Sequence, residues 1–184
     1  MSEMRVDDLL VRVGEDTGQD AGTQPPPREH VVVLGERDDG RVLPILIGEQ
    51  EGFALALNLG TQTMPRPMTH DLMADLVRAM GGRVDRVIIT DLREDTFHAA
   101  ITVAVDGHVE EVDARPSDAI NLAARVGAPI YAADTVLERG AVAKQDLRAR
   151  LERDARERTP AIGPGTWSSL ASAVFVSEAP RQRR

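Results

Sequence analysis

The chain has 184 residues, with 22 Lys and Arg against 30 Asp and Glu and a formal net charge of −8. That length fits one domain with tails, and an apolar content of 42%, a little under the ~45–50% of an average globular protein, supplies a core of modest size. The absence of cysteine excludes a disulfide framework, Cys-ligated zinc or iron–sulfur centres and a thiol nucleophile.

The first residues, Met1-Ser2-Glu3-Met4-Arg5-Val6-Asp7-Asp8, lack the basic start and apolar run of a signal peptide. No window reaches the ~18–20 apolar residues of a membrane span. A cytoplasmic protein without a membrane partner is expected. The acidic balance opposes broad electrostatic affinity for nucleic acid, which rests on Lys and Arg.

Taken in order, Met4 to Val13 and His30 to Gly35 are predicted strands rich in Val and Leu. Gly14 to Arg28 between them has one apolar side chain, Ala21, too little to offset its ordering entropy, and is predicted to be a mobile loop. Arg37-Asp38-Asp39-Gly40 supplies turn chemistry before a strand over Arg41 to Ile47. A helix follows Gly48, with Phe53, Ala56, Leu57 and Asn58 at helical spacing and Gly60 as its stop. Pro65 and Pro67 force an extended segment. Thr69 is then predicted to cap a helix whose apolar face is Leu72, Met73, Leu76, Val77 and Met80, closed by Gly81-Gly82.

Arg83 to Thr90 reads as a strand buried on both faces, and Thr96 to Val105 alternates as a strand should. Asp106-Gly107 turns it into a partner strand, His108 to Ala114. Pro116 opens a helix carrying Ile120, Leu122, Ala123 and Val126, ended by Gly127. A short strand over Pro129 to Ala132 and a helix from Asp134 follow. Lys144 to Arg158 is a highly charged helix with Leu147 and Leu151 as anchors, expected to be peripheral or to pack on a partner. The fold class is therefore α+β: a compact single domain over 1–142, its mixed or antiparallel sheet built from hairpins and packed by several helices. Residues 143–184 are left as the charged helix and a flexible C-terminal tail rich in Pro and Gly.

Three stretches carry chemistry. Pro65-Arg66-Pro67-Met68-Thr69-His70-Asp71 sets a cation, an imidazole and a carboxylate where a helix opens. Helix N-termini attract anions, so Arg66 and the N–H groups around Thr69 suit a phosphate. His70 is suited to proton transfer, and Asp71 to orienting it. Val112-Asp113-Ala114-Arg115-Pro116-Ser117-Asp118 ends a strand in a carboxylate and a guanidinium. Helix capping accounts for Pro116 and Asp118, but it does not require Asp113 and Arg115, which suit an ion pair or a phosphate and a divalent ion. Asp91 closes the predicted buried strand at the head of a polar turn. Because caps greatly outnumber catalytic sites, pattern alone favours the structural reading of the first two stretches. No Walker A loop, dinucleotide fingerprint, H-E-x-x-H, nucleophile elbow or EF-hand loop is present. With three Phe, one Tyr and one Trp, a sheet of stacking platforms for single strands is not expected.

The same stretches carry a resemblance. Leu43-Pro44-Ile45-Leu46-Ile47-Gly48, Pro65 to Leu72, Ile89-Thr90-Asp91-Leu92, Thr96-Phe97-His98-Ala99, Asp113 to Ile120 and Gly127-Ala128-Pro129-Ile130 resemble the bifunctional nuclease domain family in order and spacing. The resemblance covers Met4 to Val142. It implies a compact α+β fold that oligomerises, and nuclease activity on DNA and RNA. The shared polar set it implies is Arg66, Thr69, His70, Asp71, Asp91, Asp113, Arg115, Ser117 and Asp118. Phe97-His98-Ala99 stands where the family has Phe-Tyr-Ala, the 14–28 loop is longer than is typical, and the C-terminal extension does not look like the UVR-type motif of some relatives.

The function expected from residues and resemblance together is hydrolysis of phosphodiester bonds in DNA or RNA by a homo-oligomer. In that scheme His70, Asp71, Asp91, Asp113 and Asp118 are catalytic, with Asp91, Asp113 and Asp118 binding Mg²⁺ or Mn²⁺. Arg66, Thr69, Arg115 and Ser117 hold the substrate. The alternative is a non-catalytic oligomeric module in which the polar motifs are structural.

Overall fold

A computed structural model describes residues 1–13, 28–37, 40–60, 64–158 and 166–170. In chain order its elements are β1 (Ser2–Val13), β2 (Arg28–Glu36), β3 (Arg41–Ile47), α1 (Glu49–Leu59), α2 (Thr69–Ala79), β4 (Gly82–Arg93), β5 (Thr96–Val105), β6 (His108–Ala114), α3 (Pro116–Val126), β7 (Ile130–Ala132), α4 (Asp134–Gly140), β8 (Val142–Ala143), a 3₁₀ turn (Lys144–Asp146), α5 (Leu147–Arg158) and β9 (Trp167–Ser169). The α+β expectation holds. Apart from Arg28, which opens β2, the predicted 14–28 loop lies outside the described residues. So do Asp38 and Asp39 of the first turn, and the tail except for 166–170.

The strands form one mixed nine-stranded sheet in the order β6-β5-β4-β7-β1-β2-β3-β8, with β9 on β1. Two hairpins are fixed by their turn residues. Glu94 and Asp95 have φ of 45° and 61°, and Asp106 and Gly107 have φ of 50° and 80°. Paired left-handed residues match the twist of the flanking strands, which is why two-residue loops of this kind close antiparallel pairs. They set Arg93 opposite Thr96 and Val105 opposite His108. β7 is the seam: parallel to β4, antiparallel to β1.

One face of the sheet carries the main core. Leu34, Leu43, Ile45, Val87, Ile89 and Ile101 pack there against Leu55 of α1, Ile120 and Leu122 of α3 and Val136 of α4. β2 is apolar on both faces. Its Val31 and Val33 turn the other way, where Leu151 and Ala155 of α5 and Trp167 of β9 cover them. The charged helix is thus anchored on its own sheet, through two side chains one turn apart. The sheet curls enough that a Cβ on Gly140 would meet Leu43 of β3 at 3.0 Å and Phe97 of β5 at 3.2 Å.

Several expectations are corrected. Thr69 is the first helical residue of α2 and Met68 is the cap. The capping oxygen comes from within the helix: the Met68 N–H donates to Asp71 Oδ2 at 2.8 Å. The buried residues of α2 are His70 and Ala74, while Leu72, Leu76 and Met80 of the predicted apolar face are 52%, 51% and 64% exposed. The polar bonds of His70 and Asp71 to α3, described below, set this rotation. In α1 the buried residues are Gly52, Ala54 and Leu55, and Phe53 is half exposed. In β4, Val87 and Ile89 are buried but Ile88 is only partly so, because the helices cover one face.

Candidate functional site

The first turns of α2 and α3 meet side by side, with the first turn of α1 beside them. Pro116 at the first position of α3 pre-sets its backbone, and Arg115 is the extended cap residue. His70 projects from the first turn of α2, and its Nε2 lies 3.1 Å from Asp118 Oδ1. Arg115 embraces the same carboxylate, donating from Nε to Oδ2 at 2.7 Å and from Nη2 to Oδ1 at 3.1 Å. Its Nη2 also donates to Glu51 Oε1 of α1 at 2.8 Å. Partial burial pushes the Asp118 carboxyl up, but the bonds from Arg115 and His70 outweigh it and hold the group below its ordinary range. The Asp118 bond in turn raises Arg115. An ionised Asp118 accepts from Nε2–H, so in the neutral ring Nδ1 is the acceptor. Nδ1 is not among the sealed, unpartnered polar atoms of the described residues.

A second set of bonds lies deeper. Arg125 of α3 is 7% exposed and donates from Nε to Asp71 Oδ1 at 2.6 Å. Its Nη1 reaches Asn121 Oδ1 at 3.1 Å and its Nη2 the Ala54 carbonyl at 3.2 Å. Asn121, fully buried, donates to the carbonyls of Glu51 and Ser117. Burial works to raise the Asp71 carboxyl, and the Met68 N–H and Arg125 overcome it, so this pKa too is lowered. These bonds lock α1, α2 and α3 together. Glu51, Asn121 and Arg125 escaped the reading of the sequence. Asp118, Asn121 and Arg125 sit at i, i+3 and i+7, a polar line on one face of an otherwise apolar helix. That line was the available signal.

The other predicted residues stand apart. Arg66 is exposed on the proline-flanked approach to α2 and makes no hydrogen bond or ion pair among the described residues. Thr69 is exposed beside it, and Ser117 is buried at the start of α3. Asp91 bonds its neighbours: Arg93 Nε at 2.6 Å, then the Leu92 N–H at 2.7 Å, and these lower its pKa. Asp113 is exposed on the edge strand β6, opposite Ala100. Among the described residues no three His, Asp or Glu side chains gather as a ligand set. Asp91, Asp113 and Asp118 lie on three separate elements, and both oxygens of Asp118 face donors. This arrangement does not fit the divalent ion assigned to that trio. The groups it does bring together are a carboxylate-oriented imidazole, an exposed guanidinium, and two helix N-termini whose N–H groups favour an anion.

A family model described as the bifunctional nuclease domain matches residues 32–145. An uncharacterized protein of Mycobacterium tuberculosis is 44% identical over 112 residues, 61% of this chain and 66% of that one. Bifunctional nuclease 1 of Oryza sativa subsp. japonica is 34% identical over 106 residues, 55% of this chain and 32% of the plant protein. Bifunctional nuclease 1 of Arabidopsis thaliana is 30% identical over 107 residues, 56% and 33%. The match thus spans 66% of the mycobacterial relative and about a third of the plant ones.

Proposed function

Since the chain belongs to the bifunctional nuclease domain family, we propose that it hydrolyses phosphodiester bonds in nucleic acid at the junction of α2 and α3. The single observation that carries this reading is the 3.1 Å contact between His70 Nε2 and Asp118 Oδ1, with Arg115 67% exposed at its edge. A carboxylate that fixes an imidazole through one ring nitrogen leaves the other to take a proton from an attacking water. The phosphorus–oxygen bond to the leaving nucleotide then breaks, and the departing oxygen takes up a proton from solvent, to which His70 returns the one it received. Arg115 holds the phosphate and meets the charge that grows on its oxygens. Nothing in this scheme is routed through a metal, so Mg²⁺ and Mn²⁺ are variables of the test.

The second reading is a non-catalytic module whose polar centre is structural. It is favoured by the pairing of Asp71, Asp118 and Arg115 with partners inside the chain. Labelled single-stranded DNA and RNA, incubated with Mg²⁺, Mn²⁺ or EDTA, separate the two. Wild-type protein should cleave, and Asp118→Asn, which keeps the shape but not the charge, should lose roughly 10²–10⁴-fold in rate with its circular dichroism unchanged. No cleavage by either would select the module, and equal cleavage by both would show that the activity does not come from this junction.

A further inference from the structure

A cleft of about 510 Å³ opens beside the junction, with Arg115, Pro116 and Ser117 at one end and one face of α5 along the other. Phe97 and residues 45–48 complete its wall. Its volume lies at the lower end of pockets that hold a small organic ligand (about 300–1,000 Å³), and a duplex is far too wide for it. The charged side chains lining it are Asp95, Asp154, Glu157, Arg115, Arg150 and Arg158, three of each sign, so it exerts no net pull on a polyanion. Carboxylates and guanidiniums in one apolar-walled cleft instead match the mixed donors and acceptors on a nucleobase edge. Asp154 is committed to Arg150 at 2.8 Å. Glu157 and Arg158 are exposed and make no hydrogen bond or ion pair among the described residues. α5 lies beyond the matched residues 32–145, so this wall stands outside the matched domain.

We infer that this cleft receives the unpaired base next to the phosphate held at Arg115, which makes single-stranded nucleic acid the substrate class. The inference rests on the proposed function for the role of Arg115. Glu157 accepts from an exocyclic amine or ring N–H, Arg158 donates to ring carbonyls or nitrogens, and Phe97 gives the base an apolar wall. A base engaged in Watson–Crick pairing cannot present that edge.

Binding of the four nucleoside 5′-monophosphates and of ribose 5-phosphate, followed by titration calorimetry on the full chain, tests this without catalysis. At least one nucleotide should bind about tenfold or more tightly than the base-free phosphate, as one or two net hydrogen bonds allow. In Glu157→Ala/Arg158→Ala, which alters only exposed positions of α5, that preference should shrink to about threefold or less. Equal affinities for nucleotide and sugar phosphate, no binding of either, or a preference indifferent to the double variant would each overturn the inference. Nucleotide binding with that preference in a protein that cleaves nothing would refute the nuclease reading and leave the base site standing. Cleavage without base preference would do the reverse.

Discussion

The two arginines of α3 and its cap make opposite predictions. Arg125→Ala removes a side chain that is 7% exposed and leaves its partners in place. Asn121, with no exposure, loses the donor to its Oδ1, and the Ala54 carbonyl loses another. An orphaned buried acceptor costs about 1–3 kcal/mol. Asp71 is 40% exposed and recovers much of its hydration, so it adds little. The Ala54 carbonyl keeps its helical N–H partner inside α1, so Asn121 dominates and the sum is about 2 kcal/mol, or roughly 4–8 °C in Tm for a chain of this size. Arg115→Ala removes a side chain that is 67% exposed, and exposed ion pairs are worth about 0–1 kcal/mol, so Tm should move by no more than about 4 °C. The order reverses for cleavage: Arg115→Ala should lower the rate on oligonucleotides, whereas Arg125→Ala, assayed well below its melting point, should retain most of it. Scanning calorimetry and the cleavage assay on both variants check this. Equal losses of stability, or an Arg115→Ala variant with full activity, would refute the division into a deep structural set and a solvent-side chemical set.

Three further outcomes follow from packing and charge. Gly52→Ala would place a methyl group 2.6–2.9 Å from the imidazole and Cβ of buried His30; overpacking of about 1–3 kcal/mol exceeds the gain of up to ~1 kcal/mol in helix propensity, so urea unfolding should show a net loss. Burial lowers the His30 pKa from its ordinary 6.5, so the unfolded chain takes up this proton first; stability should fall as pH drops through that value, by at most about 1.4 kcal/mol per pH unit, and His30→Asn should flatten the curve there. Leu151 is 2% exposed between α5 and the sheet; Leu151→Ala should cost about 2–5 kcal/mol, measurable by denaturation, whereas a freely swinging α5 would lose nothing.

What was legible in the sequence followed local chemistry. β3, β5, β6 and α3 have the limits read from Arg41 to Ile47, Thr96 to Val105, His108 to Ala114 and from Pro116 to Gly127, because turn residues, Pro116 and Gly127 act within a few residues of themselves. Gly127 takes φ of 70° as the left-handed stop. What failed depends on distant partners. The apolar stripe of α2 predicts that Leu72, Leu76 and Met80 face inward, yet polar bonds from His70 and Asp71 to α3 turn that stripe outward. Glu51 and Arg125 became visible only when the chain brought α1 and α3 together. His70 and Asp118 were both legible as polar residues at helix starts, but only the fold shows that 48 residues of separation close to 3.1 Å.

The acidic balance of the chain, −8 overall, is compatible with a phosphate-binding centre because of where the carboxylates are spent. Asp71 is committed to Met68 and Arg125, and Asp118 to Arg115 and His70. Each is neutralised locally, while the N-termini of α2 and α3 add partial positive charge. Arg115 alone stands between solvent and two carboxylates, Glu51 at 2.8 Å and Asp118 at 2.7 Å. Glu51 is one-sixth exposed and is also tied through its carbonyl to Asn121, so it cannot follow the guanidinium outward. Nε and Nη2 are spent on Asp118 and Glu51, and among the described residues the two N–H groups of Nη1 are left for an arriving phosphate, so Asp118 keeps its donors and the orientation of His70 is undisturbed. The arginine is held in place before substrate arrives, so binding does not have to order its side chain.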